Sequence, residues 1–463
     1  MTFQLKITIT RKRALMVIFA VISVMIIDST IVKYISYGTQ EMPTRIYVNT
    51  FVTFAMLFVG ISVVLLGFIE RKELGSGLRR GLSLRISNRI IFLIQFSLIA
   101  IIVIIVQSTV NLQSYSILSV LAAIYISHIA ALFFLLLLSL SLVQWIMTKR
   151  NKILLLYAVA FAVTTLSIII SLIYVTMVLS NQPSLVKPYS IRASTYSLPR
   201  AELAIYFGPT LDIISILSFV SVWIVSVILL STYTKKLGKA RFWMISSIPL
   251  IYFLFAFESY FLNIFQHFTT SPVSYSGMSV LIFSATKQIG ALFFSLAFLI
   301  AADLLGKYEI HKYLLICAVG MAILFGSIEI DSIIYATYPP FGLITISFMP
   351  IGAYFVFTGI VNTAALVARD KELRREFYKS AMSQLDLLWA IGVTEMENQL
   401  IKSYKSVEKR VKPPEIKDTR FENDNLRNIL HEVVDDLDKE NVREILHDVL
   451  TEVYLKKNPK RIP

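Results

Sequence analysis

Residues 116–147 read SILSVLAAIYISHIAALFFLLLLSLSLVQWIM. This stretch holds no Asp, Glu, Lys or Arg, and one histidine, His128. A helix rises about 1.5 Å per residue, so roughly 20 apolar residues cross a hydrocarbon core of about 30 Å. The stretch is longer than that and predicts a span that tilts or projects past the membrane. No soluble core needs so long an uninterrupted apolar run.

The same reading extends in both directions. Apolar runs recur at 14–35, 47–69, 90–108, 116–147, 153–179, 210–232, 242–265, 278–305, 314–336 and 341–366. The composition agrees: 56% of the 463 residues are hydrophobic and only 16% are charged, against about a quarter charged in a soluble domain. The expected fold is all-α, a polytopic transmembrane helical bundle of about ten spans with a cytoplasmic α-helical tail. The expected domains are 1–366 in the membrane, 367–410 as a cytoplasmic amphipathic, coiled-coil-like helix, 411–424 as a linker, and 425–463 as paired amphipathic helices.

Orientation follows from the connecting loops. One alternate set carries Lys6, Arg11–Arg13, Arg71, Lys72, Arg79, Arg80, Arg85, Arg89, Lys149, Arg150, Lys152, Lys235, Lys236, Lys239, Arg241, Lys307 and Lys312, 19 bases in all; the other carries only Lys33, Arg45, Lys187, Arg192 and Arg200. Excess basic residues mark the cytoplasmic side. Both termini are therefore expected in the cytoplasm of a plasma-membrane protein, which an even number of spans permits. Arg11–Arg13 followed by Ala14–Ile27 has the outline of a signal peptide, but Asp28 and Lys33 follow without a small-x-small cleavage site, so the first span is expected to stay uncleaved.

The formal charge of +14 does not point to nucleic acid. Residues 369–463 hold 19 basic and 19 acidic side chains, and the excess lies around the apolar runs. The lipid bilayer is the partner this pattern implies. Cys317 is the sole cysteine and the five histidines are scattered, so neither a metal site nor a cofactor is expected. No phosphate-binding glycine loop, nucleophile elbow or zinc-protease motif occurs, and no catalytic residue is assigned.

Charges inside hydrocarbon cost several kcal/mol and usually mark function. Here the candidates are Asp28, Glu258, Lys287, Gln288, Glu329 and Asp331. All the ionisable ones fall within roughly 15 Å of the outer boundary by helical rise, and form a candidate intramembrane polar site between spans seven, eight and nine. Glu329 and Asp331, two apart, point about 200° from each other and cannot share one pocket. The plainer alternative is a Lys287–Glu258 or Lys287–Glu329 pair that fastens helices. His128 reads as a hydrogen-bonded interior residue. Pro249 and Pro350 are expected to kink their spans, and Gly352 and Gly359 to share a close-packed face. The outer loop 180–209 is expected to cap the outer face.

Beyond the tenth span, no Gly or Pro interrupts the chain between Gly359 and Gly392, which predicts a helix running unbroken into the cytoplasm. Arg369–Lys379 is basic and suits anionic headgroups. Leu426, Ile429, Val433 and Leu437 repeat as Val442, Ile445, Val449 and Val453 at an offset of 16, two amphipathic faces that would pair with each other, with a second copy or with a cytosolic protein. Arg443–Leu450, REILHDVL, resembles the phospho-acceptor helix of one histidine-kinase subfamily; no glycine-rich ATP-binding region follows it, so the resemblance does not imply a kinase in this chain. His431 and His447 lie about 130° from the apolar face, which reads as solvated surface.

Three functions follow as expectations. The first is a sensory, signal-coupling membrane protein that relays to its tail. The others are an ion- or proton-coupled secondary transporter using Lys287, Glu258 and Glu329, and a membrane scaffold that recruits a partner through the tail.

Overall fold

The structure is a computed structural model that describes residues 10–36, 44–70, 82–148, 152–180, 182–187, 202–231, 238–255, 285–305, 309–328, 338–369, 392 and 394–396. The chain divides into two compact units, Met1–Glu395 and Met396–Pro463. Apart from Met396, the second unit lies outside the described residues, and so do the sixteen-residue repeat and its faces.

The first unit is built of helices, in the order α1 (Arg11–Ser36), α2 (Thr44–Glu70), α3 (Leu82–Asn111), α4 (Ile117–Thr148), α5 (Lys152–Ser180), α6 (Glu202–Leu230), α7 (Lys239–Phe255), α8 (Thr286–Leu304), α9 (Ile310–Ser327), α10 (Leu343–Ser347) and α11 (Met349–Arg369). Nine stretches among the described residues are long and apolar enough to cross a membrane, α10 and α11 counting as one. The seventh expected span begins as α7, and its remainder, 256–265, lies outside the described residues. This is an all-helical, membrane-type bundle. Its outer surface agrees: large apolar side chains such as Leu93, Phe96, Met147 and Met244 are more than 60% exposed, the inverse of a soluble surface and suited to lipid.

Burial is uneven, and the unevenness locates the centre. In the apolar window of α9, 89% of residues are buried, and in that of α10–α11, 94%, against 28% for α3. The centre is thus the pair α9 and α11. Lipid offers no hydrophobic drive for helix association, so close packing must supply it, and small residues permit the closest approach. A Cβ placed at Gly320 would lie 2.7 Å from the Val356 backbone nitrogen, one at Gly352 would lie 2.6 Å from that of Leu324, and one at Gly359 would lie 2.7 Å from the Cβ of Cys317. Three glycines therefore let two backbones touch, and the face shared by Gly352 and Gly359 is the contact face. A fourth, Gly326, admits Met25 and Ile22 of α1 and Ala291 of α8.

The other helices surround this pair. Helix α4 runs parallel to α11: the Phe134 ring meets Tyr354 and Phe357 at 5.2 and 6.3 Å between centroids. Hydrogen bonds between side chains tie the outer helices in turn. Gln95 Nε2 donates to Ser62 Oγ at 3.0 Å, Tyr125 Oη to Thr176 Oγ1 at 3.0 Å, and Thr164 and Ser218 hydroxyls share a bond of 2.9 Å.

One proline reading changes. Pro209, expected in the outer loop, lies inside α6, which begins earlier, at Glu202. Pro350 lies where the tenth span is interrupted: α10 ends at Ser347, Phe348 is a turn, and Pro350 occupies the first turn of α11, where its missing N–H would have no place in a continuous helix.

The two ends of the bundle differ. At one end lie the start of α1 and the end of α8, joined by Arg11 and Asp303 at 3.2 Å. At the other, two short strands, β1 (Tyr115–Ser116) and β2 (Leu185–Val186), pair antiparallel, Tyr115 with Val186 and Ser116 with Leu185. They bring part of the long loop 180–209 over the α4 terminus.

Candidate functional site

Asp28 is the deepest of the charged candidates among the described residues. It lies two-thirds along α1 with no exposed surface. Its carboxylate receives the backbone N–H of Gly342 at 3.0 and 3.1 Å, the N–H of Thr345 at 3.4 Å and the Thr345 hydroxyl at 2.6 Å. The sequence around Gly342 makes this turn possible. Gly342 has φ of +85°, a conformation that costs glycine least, and it exposes the amides that open α10. Those amides have no intrahelical acceptors. A buried carboxylate is stabilised by such charge-assisted bonds, and here it caps a turn 314 residues away in sequence.

The turn is held from other sides too. Ser127 of α4 donates to the Ile346 carbonyl at 2.6 Å. Phe341 meets the Phe51 and Phe54 rings edge-on at 5.7 and 6.5 Å, and Phe348 meets Phe58 at 4.8 Å. The Tyr338 hydroxyl donates to the Thr109 carbonyl at 3.0 Å, and its ring stacks on Tyr115 at 6.2 Å. Burial pushes both phenols above their ordinary pKa, with the neighbouring Tyr338 adding to the shift of Tyr115. Both remain neutral hydrogen-bonding groups at physiological pH.

Of the other polar candidates, Lys287 and Gln288 lie in the first turn of α8, the lysine partly exposed and the glutamine buried. Lys287 precedes Ala291 by one turn and Asp28 follows Met25 by one turn, and Ala291 and Met25 converge on Gly326. The first turn of α8 and the Asp28 turn therefore share one layer of the bundle. Glu258, Glu329 and Asp331 lie outside the described residues. No group of three or more His, Cys, Asp or Glu among the described residues has metal-site geometry.

His128 behaves as an interior residue. It is buried, with Nδ1 2.9 Å from the Ile124 carbonyl and Nε2 3.2 Å from Ser171 Oγ.

The opposite end of the tenth span holds a contact that no sequence pattern announced. Gly392 lies so close to Val367 that a side chain at 392 would overlap it. Nearby, Trp145 Nε1 at the end of α4 donates to Glu395 Oε2 at 3.0 Å. Thr394 between them is fully buried. Residues 370–391, over which the helix is expected to run on from the tenth span, lie outside the described residues. Residues 392–395 belong to the same compact unit as the bundle.

The structure thus gathers its polar contacts at both ends of one interrupted helix. Asp28 was legible as an anomaly in an apolar run. Its partners Gly342 and Thr345 had a weaker signal, a glycine and a hydroxyl three apart ahead of a span. Trp145, Gly392 and Glu395 had none. No protein-family model matches the chain, and neither a curated protein nor a solved structure matches it at a significant level.

Proposed function

We propose that this chain is a signal-coupling membrane protein in which the tenth span links events at the Asp28 end of the bundle to the tail. In this reading the end bearing Arg11, Asp303 and Trp145 faces the cytoplasm, as the excess of basic residues at that end favours. The membrane is the plasma membrane, and the tail beyond Glu395 is the output, acting on itself or on a cytosolic protein.

One observation carries the reading. Both ends of the α10–α11 span are gripped by distant parts of the chain, Asp28 at one end and residues 392–395 at the other. Between them, α11 lies against α9 with glycine at three contact positions. Interdigitated helices of this kind shift as units rather than deform continuously. A change at the Asp28 turn therefore has a rigid route to the segment that precedes the tail.

The test needs no knowledge of the stimulus. Full-length protein in lipid nanodiscs is spin-labelled at Lys152→Cys and Lys402→Cys; buried Cys317 stays unlabelled. Distances between the labels are compared with and without Asp28→Ala. A shifted or broadened distribution supports coupling through the bundle. Identical distributions, with the variant still folded, remove the reading.

A further inference from the structure

We infer that Tyr157, Ser139 and Cys317 hold internal water inside a ring of six helices. The site is separate from the Asp28 turn and from the Trp145–Glu395 contact, and its test does not depend on the signal-coupling reading.

The order of neighbours makes the ring. Helix α4 packs on α5, α5 on α6, α6 on α8, α8 on α9, α9 on α11, and α11 back on α4. In that order α5 and α9 stand three places apart in either direction, so side chains directed inward are what bring them together. Both run opposite to α4 and α11, as the cross-helix contacts of each show. One series of contacts marks a common level on them. Thr164 of α5 bonds Ser218 of α6 at 2.9 Å, the next residue, Phe219, lies 5.1 Å from Phe294 of α8, and Phe294 lies 5.1 Å from Phe325 of α9. From that level Tyr157 is seven residues back along α5 and Cys317 eight back along α9, about two turns in each case. The two share one layer, and the Tyr157 hydroxyl and the Cys317 thiol interact electrostatically.

Ser139 reaches the same layer from α4. His128 and Ser171 meet at 3.2 Å between α4 and α5. Ser139 is eleven residues beyond His128, and Tyr157 is fourteen before Ser171. Each step is close to a whole number of turns, so both residues keep the facing sides of their helices, within about one turn of each other in height.

These groups are placed for bonds that the chain does not make. Tyr157 is 3% exposed. Among the described residues, neither its hydroxyl oxygen nor that of Ser139, both buried, has a hydrogen-bond partner. Other hydroxyls of these helices turn to their own backbone: Ser141 donates to the Leu137 carbonyl and Thr165 to that of Phe161. Burying a hydroxyl unbonded is costly, and buried polar groups of folded proteins pair with protein or with ordered water. The donor set selects the ligand. A phenol and an alcohol each donate and accept, and a thiol does both weakly, which meets the two to four polar partners that an internal water needs. None of the three supplies the opposite charge that an ion would require so deep in apolar surroundings.

Infrared spectroscopy of full-length protein in nanodiscs tests this, because Cys317 is the sole cysteine and gives the sole S–H band. On transfer to heavy water, S–H is expected to become S–D roughly tenfold or more faster than the backbone amides of α9 exchange, since water at the site meets the thiol without opening of the helix. Tyr157→Phe and Ser139→Ala each remove one partner of the water and are each expected to slow that conversion roughly fivefold to tenfold, with the α9 amides unchanged. A wild-type S–H band that lasts as long as the α9 amides overturns the internal water. Fast wild-type conversion that neither variant slows overturns Tyr157 and Ser139 as the groups that hold it.

Discussion

The carboxylate of Asp28 accepts the backbone N–H of Gly342 at 3.0 Å, so that an acidic residue from the first helix caps the turn that opens the last span. Removing it strands donors in a buried place. Each buried, unpaired donor costs about 1–3 kcal/mol. Asp28→Ala is therefore expected to lower stability by at least about 2 kcal/mol, and Asp28→Asn by less, because the amide oxygen still accepts. Thr345→Val combined with Asp28→Ala should cost less than the two single effects summed, because the partners share one network. Thermal unfolding in detergent, followed by a thiol-reactive dye, measures all three. Cys317 is the sole cysteine and fully buried, so it reports exposure of the α9–α11 core.

Glycine at 359 leaves no room for even a methyl group. Gly359→Ala would bring its Cβ within 2.7 Å of the Cys317 Cβ and 3.0 Å of its backbone, and backbone cannot swing aside. The expected loss is about 1–3 kcal/mol, with earlier dye labelling of Cys317. Gly208→Ala is the control: among the described residues its Cβ would meet only the Tyr174 hydroxyl, at 3.9 Å. A matched loss in both variants would show that the core is looser than described.

Tyr115 and Tyr338 give a pH dependence with a definite sign. Both phenols have pKa values raised by burial in the folded protein, and in the unfolded chain they ionise near pH 10. A raised folded pKa contributes stability that is complete below pH 10 and is lost as pH climbs above it. Alkaline titration of phenolate absorbance should therefore leave these two tyrosines protonated until unfolding. Tyr115→Phe should flatten the fall of stability above pH 10. Tyr338→Phe should also lose the bond to the Thr109 carbonyl, about 1 kcal/mol.

Orientation is tested by single cysteines in the native background, since buried Cys317 stays silent to a charged reagent. Lys187→Cys should be labelled from outside intact cells. Lys239→Cys and Lys312→Cys should be labelled only after the membrane is opened. The reverse pattern would invert the bundle.

Much of the bundle was readable because lipid makes so strict a demand on sequence. A run such as Ser116–Met147 has few alternatives, and α4 occupies Ile117–Thr148. Helix ends were less readable. Pro209 suggested a loop but sits inside α6, because a helix tolerates proline where its neighbours satisfy the freed carbonyl. The break at Phe348 falls two residues before Pro350, which has no N–H to give the Ile346 carbonyl; Ser127 of α4 donates there instead, a partner that composition does not name. The same holds for Glu395 on Trp145, a contact across 250 residues. Periodicity reports which face of a helix is apolar, not which distant residue will cover its end.

The seam of glycines between α9 and α11 sets where this protein tolerates improvement. Exchanging a helical glycine for alanine usually firms a helix by up to about 1 kcal/mol. In α2, Gly60 and Gly67 have nothing among the described residues within 4 Å of an added methyl, and there the exchange should help. At Gly320, Gly352 and Gly359 the same exchange pries apart the two most deeply buried helices. An evolving lineage, or an engineer, can thus revise the lipid-facing rim freely, while the axis stays defined by three hydrogen atoms where side chains would otherwise be.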